Sequence, residues 1–287
     1  MQEFTSRDID FDGKAIVERF SFLNWKQTIS YISVYEPQIA GRTSKTIVIC
    51  DSLWDEQERT LVFNTRLARS LAAQGYVVVR FDYTGSGNSG LNNDIITFQS
   101  LSSDVVNVTD WILHNYQNVE LEALICERVG CHILYKDLSL AKLFKKNIFI
   151  HPILNIGHFF SWNFIERELI NTNAFNQKKI HKSELLRALE TEDTIDLNGY
   201  TFNSVFIKDL ISSPELWLET LPIKNCTYFF DENFYRSKKK CGSKIDELKW
   251  KVIKMDSIPV STWDREDLRD DTTFFYAVLA DILTCLS

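Results

Sequence analysis

No stretch of the 287-residue chain approaches the about 20 consecutive apolar residues that a membrane-spanning helix requires. The first 25 residues are polar and of mixed charge, unlike the apolar core of a secretory leader, so the expected location is cytoplasmic. Zinc-like cysteine spacing is missing as well. Cys50, Cys126, Cys131, Cys226, Cys241 and Cys285 fall mostly within predicted strands and helices, so reduced, buried thiols are expected and neither metal nor cofactor is implied. Concentrated basic charge is absent: Lys238-Lys-Lys240 is the one basic run and the net charge is -7, which argues against a nucleic-acid partner. What is present is 45% hydrophobic and 25% charged residues, enough to bury one large core, as a single domain or one domain with an insertion.

The hydrophobic pattern alternates between two periods. Val17 to Phe22 and Thr28 to Tyr35 run apolar or alternate around Asn24-Trp25-Lys26 and predict an opening antiparallel hairpin. Thr46 to Asp51 and Tyr76 to Phe81 contain the β-branched runs Ile47-Val-Ile49 and Val77-Val-Val79, as in parallel strands buried on both faces. Between them Leu61, Leu67, Ala68, Leu71 and Ala72 recur at helical spacing. Phe98 to Tyr116 reads as an amphipathic helix, Leu121 to Cys126 as a strand, Gly130 to Leu143 as a helix and Asn147 to His151 as a strand closed by Pro152. From Asn155 to Leu221 the pattern is helical with polar breaks and no obvious strand. Strand character returns in Cys226 to Phe230 and Trp250 to Met255, and Thr272 to Leu286 reads as a last helix.

Strands and helices that alternate at these lengths predict an α/β protein with a mostly parallel, doubly wound sheet and right-handed crossovers. Its core would comprise residues 1–154 and 222–287, with 155–221 inserted as a helical lid. Ligand sites in such sheets lie at the carboxyl ends of the strands. Leu53, Trp54, Glu56, Glu127 and Val129 are therefore candidate cleft residues. The segment Arg80-Phe-Asp-Tyr-Thr-Gly-Ser-Gly-Asn-Ser89 resembles the strand-to-loop turn of α/β-hydrolases. An antiparallel start and a helical insertion after the sixth strand fit that fold too.

The chemistry of that fold is less well represented. Its nucleophile sits on a strained small-x-nucleophile-x-small turn between strand and helix, with the following backbone amide facing the oxyanion. The segment in that place is Cys126-Glu127-Arg128-Val129-Gly130. It puts Arg128 at the nucleophile position, and a guanidinium stays protonated with no usable lone pair. Asp231, after Thr227-Tyr-Phe-Phe230, fits the acid position, but no histidine follows the last predicted strand. His151, ending a core strand, and His158, opening the insertion, are the remaining candidates for a base.

Several short segments in a common order resemble one branch of that superfamily, the exosortase-associated hydrolase-like proteins of bacterial exopolysaccharide and protein-sorting systems. They are Asp55-Glu56, Glu127-Arg128-Val129-Gly130, His151-Pro152 through Gly157, Asn198-Gly199-Tyr200, and Pro259 with Trp263 and Glu266. The resemblance implies a place in a bacterial biosynthetic pathway and adds Trp263 to the cleft. An arginine at a helix amino end makes an electropositive site, which either an internal carboxylate (Glu56, Asp55 or Asp231) or an external anion could satisfy. Two functions remain open. One is a non-catalytic binding or accessory protein with a degenerate triad, for a small anionic, acyl or glycan-like ligand or a protein partner. The alternative is an unconventional ester or thioester hydrolase, or an acyltransferase, with a displaced nucleophile.

Overall fold

The computed structural model describes residues 4–25, 28–38, 44–90, 92–170, 181–213, 226–230, 251–254 and 272–287. Apolar runs in the first third make strands β1 (Thr5–Phe11), β2 (Lys14–Trp25), β3 (Thr28–Pro37) and β4 (Ser44–Cys50). Helix α1 (Asp55–Ala73) leads to β5 (Val77–Phe81), and α2 (Phe98–Asn115) leads to β6 (Val119–Glu127). Short helices α3 (Gly130–Lys136) and α4 (Leu138–Ala141) precede β7 (Lys146–Ile150). Further on lie α5 (Ile156–Phe160), continued by a π-helical turn over Ser161–Glu166, then α6 (Lys182–Thr191), β8 (Thr194–Leu197), β9 (Tyr200–Asn203) and α7 (Ser204–Ser212). Strands β10 (Cys226–Phe230) and β11 (Lys251–Lys254) and helix α8 (Thr272–Leu286) complete the described chain.

Nine of these strands form one sheet in the order β1-β2-β3-β5-β4-β6-β7-β10-β11. β1, β2, β3 and β5 pair antiparallel, and from β5 to β11 every pairing is parallel. Side chains alternate across the sheet. Ile47 and Ile49 of β4 pack with Leu67 and Leu71 of α1 and Phe275 and Ile282 of α8. Val48 and Cys50 face the opposite layer, where Leu101, Val105 and Val108 of α2 lie. Coverage on both faces explains why these strands are continuously apolar in sequence.

The opening hairpin is larger than expected: β1, polar and largely exposed, extends it to three strands. The helix expected over Gly130–Leu143 breaks at Asp137, whose φ of -131° and ψ of 86° leave the helical region and whose carboxylate caps Ser139 N at 3.1 Å. The expectation of an all-helical insertion also needs correction. Ile195, Leu197 and Phe202 are buried on an antiparallel β8–β9 hairpin that turns at Asn198-Gly199, with φ values of 50° and 83°. Two left-handed residues are what a tight hairpin turn demands, and Asn-Gly supplies them. Helical periodicity in the flanking residues concealed that signal.

Candidate active site

The end of β6 is built as a strained elbow. Arg128 adopts φ 47°, a left-handed conformation uncommon for a residue with a Cβ. Its N–H donates to Ile150 O at 3.1 Å, tying the turn to β7. Gly130 is needed where α3 begins, because a Cβ there would lie 2.9 Å from Cys50 O and 3.0 Å from Asp51 O. The guanidinium reaches across to the first turn of α1. Its Nη2 and Nε donate to Glu56 Oε1 at 2.7 and 3.0 Å, and its Cζ stands 5.5 Å from the Phe159 ring centroid. The second carboxylate oxygen of Glu56 accepts from Ser52 Oγ at 2.9 Å. Glu56 is 7% exposed, so this is a partly desolvated, doubly hydrogen-bonded ion pair.

The loop after β4 closes the space above the elbow. Leu53 and Val129 are fully buried beside Trp54, which is 5% exposed and has φ 58°. The indole packs against Phe164, Phe202, Phe160 and Phe206 at centroid distances of 5.1, 5.6, 5.9 and 6.4 Å. Edge-on ring contacts of this kind fill volume with favourable quadrupole geometry. The cavity left between Trp54, Glu56, Phe159, Asn163 and Phe164 holds about 20 Å³, enough for one water. At its rim Arg59 and Arg167 approach Asp55 at 3.9 and 4.0 Å, and Tyr200 Oη donates to Asp55 at 2.7 Å.

Glu127, expected in the cleft, is instead fully buried beneath the elbow, on the α1 side of the sheet, in a second polar group whose other members, Asn64, Asp51 and Arg80, the sequence does not mark as site residues. Asn64 Nδ2 donates to Glu127 Oε2 at 2.8 Å and to Asp51 Oδ1 at 3.1 Å, while Arg80 pairs with Asp51 Oδ2 and donates to Thr65 Oγ1 at 2.9 Å. Polar Thr60 and Asn64 in the same helical stripe as Leu67 and Leu71 were the available signal. Glu127 is completely buried. Burial, reinforced by Asp51, raises its carboxyl from 4.5 to about 8. Between those two values the folded state holds a proton that the unfolded chain has released, so stability falls as pH rises through this window and levels off above it. Asp104, raised by burial from 3.8 to about 6, acts in the same direction at the lower end. We predict that Glu127→Gln, which keeps the shape without the charge, flattens the decline of Tm between about pH 5 and pH 8. An unchanged decline would place the titration elsewhere.

The remaining candidates do not assemble into a triad among the described residues. His151 ends β7 with φ 45° and 3% exposure, and its carbonyl accepts from Arg128 Nη1 at 3.4 Å. Burial and the adjacent Arg128 push its imidazole down to about 3, a poor proton acceptor at neutral pH. His132 is buried on α3 against Ile153 O at 2.5 Å and is lowered by burial to about 4. His158 is exposed on α5. The Cys131 thiol donates to Cys126 O, and burial raises it well above the ordinary thiol value, opposite to what a nucleophilic cysteine requires. Asp231 and Trp263 lie outside the described residues. Among those residues no cluster of three or more metal-ligating side chains converges, and no helix is long and apolar enough to cross a membrane.

Solved hydrolase structures superimpose over more than nine-tenths of this chain. This chain has the α/β-hydrolase fold. The ferulic acid complex of Est1E from Butyrivibrio proteoclasticus superimposes with a TM-score of 0.59, 14% identity and coverage of 92% of this chain and 98% of that one. Mouse alpha/beta hydrolase domain-containing protein 10 and the thioesterase domain of the curacin biosynthetic pathway each give a TM-score of 0.54 at 17% identity. Each covers 93% of this chain and 99% of its own. No protein-family model matches the sequence, nor does any curated protein. Identities this low establish the α/β-hydrolase architecture and leave the chemistry to be argued from the residues.

Proposed function

We propose that this α/β-hydrolase-fold chain is non-catalytic and serves as a binding or accessory protein in a biosynthetic pathway. The observation that carries the reading is the Arg128–Glu56 pair at the elbow. It occupies the nucleophile position with a group that cannot attack a carbonyl and neutralises it internally. Support comes from Trp54 and its phenylalanine neighbours, which pack tightly above the elbow, and from the weakly basic state of His151. Triad members act as a unit, so losing the serine together with its base removes far more than either alone. The motif order shared with exosortase-associated hydrolase-like proteins favours a pathway of bacterial exopolysaccharide or protein sorting.

The test is labelling by a fluorophosphonate probe together with turnover of short-chain nitrophenyl esters. The expected result is no labelling and no turnover above buffer. Ser52, Ser86 and Ser89 are the serines nearest the strand ends, and their hydroxyls donate to Glu56, Gln57 and the Asp82 carbonyl at 2.9, 2.6 and 2.6 Å. Stoichiometric labelling at any of them would show a displaced nucleophile and overturn the non-catalytic reading.

A further inference from the structure

Beneath the elbow, two unpartnered atoms complement each other. Glu127 Oε1 and Asn64 Oδ1 are both buried and make no hydrogen bond among the described residues. The other halves of the same two side chains are joined, Asn64 Nδ2 donating to Glu127 Oε2 at 2.8 Å. While Glu127 is ionised both unpartnered atoms are acceptors, and buried acceptors without a donor are costly. A proton on Glu127 Oε1 removes both faults at once. The acid O–H then donates to Asn64 Oδ1 while the amide N–H donates to Oε2, and the planar acid and planar amide close a ring of two hydrogen bonds. We propose that this ring is a proton-operated catch: with Glu127 un-ionised it holds the strained elbow shut, and when the proton leaves to solvent the Arg128 turn is released to open locally.

The groups that face Glu127 offer its ionised form little support. Asp51, from the loop after β4, accepts from the same Asn64 Nδ2 at 3.1 Å, so an ionised Glu127 sets two carboxylates around one amide. Glu56 of α1 and the Cys131 thiol of α3 add no positive charge. Arg80 of β5 is near but already engaged by Asp51 and Thr65, and Arg128, next in the chain, is turned to Glu56. From β7 the neighbour in register is Ile150, and α8 brings Phe275, Val278 and Ile282 to this layer. Carboxyl groups that share a buried site hold one proton between them, in keeping with the raised Glu127 carboxyl.

The elbow is where such a catch acts, because Glu127 immediately precedes the left-handed Arg128. A strained conformation persists while its surroundings over-determine it. One tie is Arg128 N to Ile150 O at 3.1 Å; the other is the Glu127 side chain. Opening the turn carries Glu127 toward solvent, where its carboxyl ionises near the ordinary value, so the closed form binds the proton more tightly than the open one. The opening constant therefore rises with pH by up to about tenfold per unit between the two values and levels off above about 8. This inference goes beyond the non-catalytic reading and does not depend on it: fluorophosphonate labelling would remove that reading and leave the catch in place.

The experiment uses two readouts on the full chain. Infrared spectra of protein carrying isotope-labelled glutamate, taken near neutral pH, are expected to show the carbonyl band of a buried carboxylic acid that is absent from Glu127→Gln. Hydrogen exchange of residues 126–132, corrected for the intrinsic pH dependence of exchange, should lose protection by up to about tenfold per pH unit between about pH 5 and pH 8 and then level off. Residues 46–50 of β4 should stay better protected throughout. Glu127→Gln, whose amide still pairs with Asn64, should keep the protection of the elbow flat over that range. The proposal is overturned by the absence of an acid band at neutral pH, or by an elbow whose protection matches that of β4 at every pH and so opens only with the whole fold. The same pH slope in Glu127→Gln also overturns it. The first two results are read on the unsubstituted chain, so a poorly folded variant does not leave the question open.

Discussion

Truncating Arg128 to alanine is expected to destabilise the fold by about 3 kcal/mol, the lower end of the range for breaking a buried ion pair. The lower end applies because the Arg128 side chain keeps 16% of its exposure, against 9% for Glu56. Alanine would leave the Glu56 carboxylate with Ser52 Oγ as its remaining side-chain donor among the described residues and would remove the guanidinium from the Phe159 face. Glu56→Ala should be costly for the converse reason. The double variant should lose much less than the sum of the two, since it removes both charges together. Urea unfolding of the four proteins, with a constant m value, gives the coupling energy directly. A coupling near zero would mean that the pair contributes nothing to stability. The arginine would then be available to an external anion, and the accessory reading would have to be rebuilt around that ligand.

Replacing Trp54 with alanine is expected to cost about 3 to 5 kcal/mol, as for other buried aromatic truncations. The indole joins the loop after β4 to four separate elements: Phe160 of α5, Phe164 of the π-helical turn, Phe202 of β9 and Phe206 of α7. Loss of the ring therefore acts on the whole inserted segment. Hydrogen exchange across 156–166 and 194–203 should accelerate more than exchange in β4 and β6, because the former elements lose their shared contact while the latter keep both layers. Trp54→Phe should fall between wild type and alanine. It forfeits ring area but also deletes an indole N–H that is buried without a partner among the described residues. A Trp54→Ala variant within about 1 kcal/mol of wild type, a range ordinary for surface changes, would show that the aromatic cluster does not hold the segment in place.

These two variants test the two groups that close the space above the elbow: the Arg128–Glu56 ion pair and the aromatic cluster on the loop after β4. Restoring a small residue at both positions without restoring a base would open space but supply no nucleophile activation.

The sheet core was legible in the chain because its signals are local. Ile47-Val-Ile49 and Val77-Val-Val79 are apolar on both faces, and the α2 stripe from Leu101 to Ile112 repeats at helical spacing, so each element announces its burial. The absence of a serine at the elbow was equally local: it needed only the identity of Arg128 and its place between a strand and a helix-starting glycine. The β8–β9 hairpin was missed because its Asn198-Gly199 turn lies between helical stretches that dominate a longer window. What surrounds the elbow is a different matter. Glu56 and Arg128 are separated by 72 positions, and Asp51, Asn64, Arg80 and Glu127 come from four separate segments of the chain. Nothing in local periodicity states which acidic side chain the arginine meets, or that Glu127 is forced to keep its proton. Sequence by itself determined an α/β sheet with an elbow that lacks a nucleophile, since patterning and residue chemistry act over a few positions. The tertiary structure alone decided that the elbow is closed by Glu56 and Trp54 and that Glu127 is buried against Asn64 and Asp51, because burial and pairing are properties of distant segments brought together.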